Sequence, residues 1–287
     1  MIKKILHYLP YFKNLQVLPG HYYSPVISVD ELSQQQDKIW KEPGKALKGI
    51  DLNVDAQLKL VEKFLPFYEQ IPFKKEQHEA HRYYFKNVMF SYADGIMLYG
   101  MMRTFKPKRM IEVGSGFSSA LMLDVNNIFF DNKIDLTFIE PYSQRLKSLL
   151  RQGEKINLIE KNVQSLDSGL FKDLEENDIL FIDSSHVSKT GSDVNFLLFE
   201  VLPLLKKGVK VHFHDIFYPF QYPKRWIFEE KRSWNEAYSL RAFLSYNNKF
   251  KILLFNTYLE KFYKDWFKEN MPMCLLNKGG SIWLDVQ

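Results

Sequence analysis

Two short stretches of this 287-residue chain concentrate residues capable of acid–base or metal chemistry. Asp183-Ser184-Ser185-His186 ends the apolar run that begins at Asp178, and His212-Phe213-His214-Asp215 ends the run that begins at Val209. Side chains alternate along a strand, so His212 and His214 share one face while Phe213 takes the other. If the two runs are neighbouring strands of a doubly wound sheet, their carboxyl ends converge on one crevice. Asp183, His214 and Asp215, with His186 nearby, then form an oxygen and nitrogen set suited to a hard or borderline divalent ion. Imidazole also titrates near neutrality, so His186 or His214 could instead take a proton from a substrate hydroxyl. The candidate catalytic residues are therefore Asp183, His186, His214 and Asp215, and the candidate metal set is Asp183, His214 and Asp215.

A second constellation reads as a ligand cradle. Met110-Ile111-Glu112-Val113 runs into Gly114-Ser115-Gly116, and an apolar stretch with small residues, Ser118–Val125, follows. Strand, glycine turn and helix in that order place a ligand at the carboxyl end of the strand. Glycines allow a sharp turn and close backbone approach, and free N–H groups at the helix start favour an anionic group. A larger residue at Gly114 is expected to block the ligand and spare the fold. A dinucleotide fingerprint asks for a third glycine or alanine, where this chain has Ser119. Glu112 sits badly beside a pyrophosphate but well beside a cationic amino or sulfonium group. Glu140 closes the next apolar run 24 residues beyond Gly116, where an acid can accept hydrogen bonds from both hydroxyls of an adenosine ribose. Asn162, Val163 and Gln164 follow the third run, where the adenine ring would lie. Tyr92 and Asp94 open an apolar helix and could reach back over the ligand, although an acid there also serves as an N-cap.

Positioning such residues requires alternating strands and helices, which the sequence supplies from Lys108 onward. Strands are predicted at Met110–Val113, Ile134–Glu140, Lys155–Glu160, Asp178–Asp183, Val209–Asp215, Phe250–Phe255 and Ser281–Val286. Helices are predicted over Ser118–Val125, Tyr142–Leu150, Asp193–Leu205 and Asn235–Tyr246. The fourth strand is the most apolar and is expected at the centre, covered on both faces. Upstream, an apolar helix over Phe90–Phe105 stops before Pro107. Asp51–Tyr68 reads as a helix with Leu52, Leu58, Val61 and Leu65 on a similar face. Residues 1–50 read as irregular, with Tyr22, Tyr23 and Pro25 in an extended segment packed against something larger. Phe217–Trp226 is a proline- and aromatic-rich connection long enough for a lid. The expected fold class is α/β: a Rossmann-like, doubly wound, mostly parallel seven-stranded sheet over residues 91–287, with an N-terminal helical extension over residues 1–90.

Composition narrows the class. Cys274 is the sole cysteine, which excludes an intrachain disulfide and a multi-cysteine zinc site. Thirty-nine basic and 34 acidic residues give a net charge of +5, with no block of five or six like charges, so no nucleic-acid partner is expected. No 18-residue apolar run suggests a membrane span. His7 and Pro10 break the apolar stretch after the basic start, which argues against a signal peptide. A cytoplasmic enzyme acting on a small-molecule or glycan substrate is the expectation.

Four motifs in order, Glu112-Val113-Gly114-Ser115-Gly116-Phe117-Ser118-Ser119, Phe138-Ile139-Glu140-Pro141, Phe181-Ile182-Asp183-Ser184-Ser185-His186 and Phe213-His214-Asp215-Ile216-Phe217, carry a resemblance. Over roughly Ser91–Tyr222 the chain resembles a bacterial O-methyltransferase-like group of class I S-adenosylmethionine-dependent methyltransferases. The resemblance implies methyl transfer from S-adenosylmethionine to a hydroxyl of a small molecule or sugar, with Glu112, Gly114, Ser115, Gly116 and Glu140 holding the cofactor. In the similar cation-dependent enzymes of the catechol and macrolide-sugar types, an acid ending the fourth strand and an acidic pair ending the fifth bind magnesium. Asp183 falls on the first position. His214-Asp215 departs from the Asp-Asn pair of the catechol type, which leaves Mg²⁺ (or another divalent cation) and a metal-free histidine base both open. Two rival classes are a nicotinamide-dependent oxidoreductase and a catalytically silent S-adenosylmethionine-binding module. Glu112 and the missing third glycine count against the first, and His and Asp at both strand ends count against the second.

Overall fold

The computed structural model describes residues 15–287. Met1–Pro10, on which the signal-peptide expectation rests, lies outside the described residues. Seven apolar runs form strands: β1 (Arg109–Val113), β2 (Asp135–Ile139), β3 (Asn157–Ile159), β4 (Ile179–Ile182), β5 (Lys210–His214), β6 (Phe250–Phe255) and β7 (Ser281–Val286). They build one sheet in the order β3-β2-β1-β4-β5-β7-β6. β1 to β5 pair in parallel, whereas β7 runs antiparallel between β5 and β6. This is the expected α/β class. The strand order reverses at β1 and β4, so their carboxyl ends border the crevice where ligands bind in doubly wound sheets.

β4 is central, and all four of its residues are fully buried, as a strand covered on both faces must be. The Asp178 carboxylate fixes where β1 and β4 begin: it accepts from Lys108 N and Arg109 N, each 2.9 Å, and from Glu175 N, 2.9 Å. At the other edge β3 is only three residues long. β7 sets His214 opposite Ser281 and His212 opposite Trp283, so the final strand holds the end of β5.

By backbone contacts the chain divides into two compact units. The described part of one runs to Gly44 and adds Tyr222–Trp234; the other comprises Lys45–Gln221 and Asn235–Gln287. In the first unit, helix α1 (Val29–Ile39) corrects the irregular reading of residues 1–50. Its start was encoded, since Ser28 Oγ accepts from Glu31 N at 3.3 Å, the serine-to-glutamate spacing of a capped N-terminus. α1 buries no residue, so the apolar periodicity that reveals most helices is missing. Tyr22 and Tyr23 are exposed, not packed away as expected. Trp40 Nε1 donates to Tyr222 O (2.8 Å), and the Arg232 guanidinium lies 4.0 and 4.3 Å from the ring centres of Trp226 and Trp234.

The second unit contains the sheet. Helix α2 (Val54–Tyr68) starts three residues later than predicted and buries Gln57, Leu60, Val61 and Phe64, while Leu58 and Leu65 are only half-buried. α3 (Tyr92–Phe105) is buried from Tyr92 through Met102. α4 (Phe117–Phe129) leaves the glycine turn, and α5 (Gln144–Leu149) follows β2. The helix predicted over Asp193–Leu205 is broken: α6 (Asp193–Phe196) widens into a π turn at Leu197–Val201 and tightens at Leu202–Leu204. Pro203 has no N–H to continue the ladder. α7 (Lys224–Phe228) belongs to the first unit; α8 (Glu236–Leu244), α9 (Asn256–Phe262) and α10 (Lys264–Asn270) return to the second. Among the described residues no helix is long and apolar enough to cross a membrane.

Candidate functional site

β1 delivers the chain to Gly114, which turns with φ +84° and donates its N–H to Ile139 O (3.0 Å). A Cβ on Gly114 would stand 1.7 Å from Asp183 O. Glycine is therefore demanded by the backbone of β4's exit as well as by the dihedral. Gly116 is extended and caps α4, its N–H donating to Ser119 Oγ (2.9 Å). Glu140, at the end of β2, accepts from Ser115 N (3.0 Å) and Tyr142 N (2.6 Å). It thus holds the turn in place, and a carboxylate has lone pairs left over for a ligand. Gly114, Glu140, Tyr142, Asn162, Val163 and Asp183 line a cavity of about 530 Å³. That size suits a cofactor or small molecule, for which sites span roughly 300–1,000 Å³.

Asp183 also belongs to a second group. His186 Nε2 lies 3.3 Å from Asp183 Oδ1 and 3.6 Å from Asp215 Oδ2. One donor atom from each of Asp183, His186 and Asp215 lies within 4.8 Å of the others. Behind them, His186 Nδ1 meets Glu236 Oε2 at 2.8 Å, and His214 Nε2 stands 3.6 Å from Asp215 Oδ1. His186 and Asp215 both adopt left-handed backbone, φ +60° and +56°. Such strain in non-glycine residues gathers at functional sites. The structure brings Asp183 and Asp215 of the predicted metal set together with His186, which the sequence placed nearby, rather than with His214. The left-handed turn after β4 swings the His186 ring back over the strand ends. The His214 ring stays on the sheet face against Phe90 (5.3 Å) and His212 (5.7 Å).

The electrostatics of the group are lopsided. Asp94, Asp183, Asp215 and Glu236 supply four carboxyls against the imidazoles of His186 and His214. Burial opposes a charged His186, yet Asp183 and Glu236 hold its pKa well above the usual range. Burial likewise opposes a charged His214, but Asp183, Asp215 and Asp94 raise it. Burial would raise Asp183, and His214 followed by His186 pulls it down instead. Burial pushes Asp215 up to about 6. Four carboxyls thus crowd two imidazoles, and buried charge is costly unless paired or bound to a cation. The donor set fits a divalent ion in type: two carboxylates and an imidazole whose other nitrogen is engaged. It also fits in spacing, since adjacent ligands of an octahedral ion at about 2.1 Å stand about 3 Å apart.

Other predicted residues sit elsewhere. Glu112 is buried and accepts from the Ser118 and Ser119 hydroxyls, bracing β1 against α4; it does not line the cavity. Burial pushes its pKa up to about 8 against those two hydrogen bonds. Tyr92 stacks on Phe85 at 4.9 Å. Asp94 accepts from Asn256 Nδ2 and Gly280 N, each 3.2 Å, and so anchors the approach to β7. Neither Tyr92 nor Asp94 lines the cavity. His212 stacks on Phe181 at 3.8 Å, and burial followed by His214 drives its pKa well below the usual value, so it is a neutral core residue. The sequence reading missed Glu236, which looks like any acid in a helix's first turn, and Lys189, which lines the cavity from the loop after β4.

Residues 111–216 match a family model described as "Methyltransferase domain". An uncharacterized protein of Archaeoglobus fulgidus is 34% identical over 182 residues, covering 60% of this chain and 81% of that one. Residues 111–216 thus carry the methyltransferase domain that this family model describes. The matched segment of this methyltransferase-domain protein opens inside β1 and closes one residue beyond Asp215. It takes in the glycine turn, Glu140, Asp183, His186, His214 and Asp215, and leaves out Tyr92, Asp94 and Glu236. The SAH-bound Podospora anserina methyltransferase PaMTH1 is similar to it among solved structures, with 18% identity, coverage of 95% of this chain and 99% of that one, and a TM-score of 0.45.

Proposed function

We propose that this protein is an S-adenosylmethionine-dependent O-methyltransferase acting on a hydroxyl of a small molecule or sugar, with a divalent cation held by Asp183, His186 and Asp215. One observation carries the reading: Asp183 both lines the cavity beside Glu140 and belongs to the His186–Asp215 cluster. A cofactor in the cavity and an acceptor at the cluster would therefore meet at a single side chain.

In this reading Glu140 accepts hydrogen bonds from the ribose hydroxyls, and Asn162 and Val163 border the adenine. The Gly114–Gly116 turn and the start of α4 offer N–H groups to the carboxylate of the methionine part. S-adenosylmethionine supplies an electrophilic methyl group on its sulfonium. The chain's main contribution is to hold the acceptor oxygen in line with that methyl. The acceptor hydroxyl must also lose a proton, and a divalent cation at Asp183, His186 and Asp215 lowers the hydroxyl pKa when bound. His214, whose Nε2 stands 3.6 Å from Asp215 Oδ1, is the nearby group to take that proton.

The His186–Glu236 contact favours a second reading, in which His186 acts without metal as a general base oriented by a carboxylate. Transfer of a labelled methyl group from S-adenosylmethionine to a panel of hydroxyl acceptors tests both. Loss of transfer in chelator and recovery with Mg²⁺ or Mn²⁺ supports the metal. Full transfer in chelator, with a loss on the order of 10²–10⁴ in H186A, shifts the role to the histidine base. If S-adenosylmethionine fails to raise the melting temperature and NAD(P)H succeeds, the methyltransferase reading falls.

A further inference from the structure

An acid at the start of a helix ordinarily stands in solvent and complements the helix dipole. Glu236 opens α8, yet only 1% of its side chain is exposed. Its Oε2 lies 2.8 Å from His186 Nδ1. Its own N–H and that of Asn235 both donate to His186 O, each at 3.1 Å. The Asn235 side chain completes the attachment: Oδ1 accepts from Ser188 N (2.6 Å) and Nδ2 donates to Ser188 O (3.0 Å). The loop after β4 is thus bonded to Asn235-Glu236 through backbone and side chain alike.

That attachment has a chemical result. His186 sits in left-handed backbone, a conformation that persists in a non-glycine residue only when its surroundings fix it. Nδ1 meets Glu236, and Nε2 is the atom turned toward Asp183 and Asp215. A carboxylate on the far nitrogen fixes the tautomer and makes the near nitrogen a stronger ligand. We propose that Glu236 is a positioning residue that keeps the proton of His186 on Nδ1 and presents Nε2 as the third ligand, with Asp183 and Asp215, of a divalent cation. This rests on the metal-assisted reading above and extends it to a residue outside the matched methyltransferase segment. An imidazole among the ligands also turns the site from Ca²⁺ toward first-row ions such as Mn²⁺.

The test is Mn²⁺ binding to the full chain, measured by titration calorimetry without acceptor, with S-adenosylmethionine affinity measured in parallel. The parent protein should bind Mn²⁺ more tightly than Ca²⁺. E236A should bind it roughly 10- to 100-fold more weakly, the usual cost of losing such a partner, with unchanged S-adenosylmethionine affinity. E236Q keeps the side-chain volume and loses the charge; it should weaken Mn²⁺ binding by about 10-fold, and it decides the matter if E236A does not fold. In an H186A background, E236A should have no further effect. Mn²⁺ affinity equal to the parent in E236Q, or an undiminished effect of E236A in H186A, overturns the role of Glu236 while leaving the metal site standing. No Mn²⁺ binding by the parent overturns both the metal reading and this inference; methyl transfer is then assayed separately.

Discussion

Gly114→Ala is the perturbation whose cost can be worked most directly from the structure. The residue has φ +84°, and the added Cβ would lie 1.7 Å from Asp183 O and 2.7 Å from Asp183 C. A left-handed L-residue costs about 1–2 kcal/mol. Relieving the contact means moving the ends of β1 and β4 apart by more than an ångström, and overpacking of that kind costs about 1–3 kcal/mol. The Asp183 N–H bond to Val113 O (2.8 Å) resists the movement, and straining it adds about 1 kcal/mol. The expected loss is therefore about 3–6 kcal/mol. Gly153→Ala is the control, because φ is +75° there and nothing lies within 4 Å of the added Cβ; it should cost about 1–2 kcal/mol. Urea unfolding of both variants, with the denaturant slope unchanged, reads the difference. A Gly114→Ala protein within about 1 kcal/mol of Gly153→Ala would refute the argument from the Asp183 carbonyl. The expectation that a larger residue at Gly114 spares the fold is corrected on the same ground, because the obstruction is the protein's own strand.

Glu140→Ala should weaken S-adenosylmethionine and S-adenosylhomocysteine alike by about 1.5–3 kcal/mol in calorimetry, since the ribose is common to both. Asp124 accepts from Arg82 N (2.7 Å) and Tyr83 N (2.9 Å) and pairs with the buried Arg82 guanidinium; Asp124→Ala should therefore lower the unfolding free energy by about 3–5 kcal/mol. Glu112 has a folded pKa of about 8 against an ordinary 4.5, so the folded state binds the extra proton and stability should fall as pH rises from about 4.5 to 8. Glu260, raised to about 9 mainly by burial, acts in the same direction. Glu112→Gln should remove its share of the slope, up to about 5 kcal/mol, in unfolding curves recorded at pH 5 and pH 8.5. An unchanged slope would mean that Glu112 is ionised in the folded protein.

The sheet was legible because its strands are short apolar runs with polar punctuation, and β4 announced its central place by having no polar residue between Asp178 and Asp183. Spacing sufficed to place Glu140 at the end of β2 and on the cavity, since the end of the second strand is a fixed point of the topology. The candidate cluster was legible to the strand end and no further. Alternation correctly placed His212 and His214 on one face, but which imidazole reaches the carboxylates depends on the left-handed turn at His186. The ring that this turn presents meets Glu236, fifty residues away in sequence. A long-range clamp of this kind leaves no local pattern. α1 failed for a different reason: its capping signal was present, but a helix that buries nothing has no periodicity to find. Glu112 was read as facing a ligand because an acid in a strand invites a charged partner; two serines of the following helix turn provide neutral ones.

The placement of β7 sets the order in which the molecule can be finished. β5 and β6 emerge from the ribosome first, yet they are not neighbours, and the strand that joins them comes last. Until Ser281–Val286 is available, the outer edge of β5 is bare, β6 has no place in the sheet, and His214 lacks the strand that pairs with it. Such an open edge invites pairing with another nascent chain. A product that stops short of Ser281 would therefore carry the Gly114–Glu140 side of the crevice beside a β5 edge left unpaired.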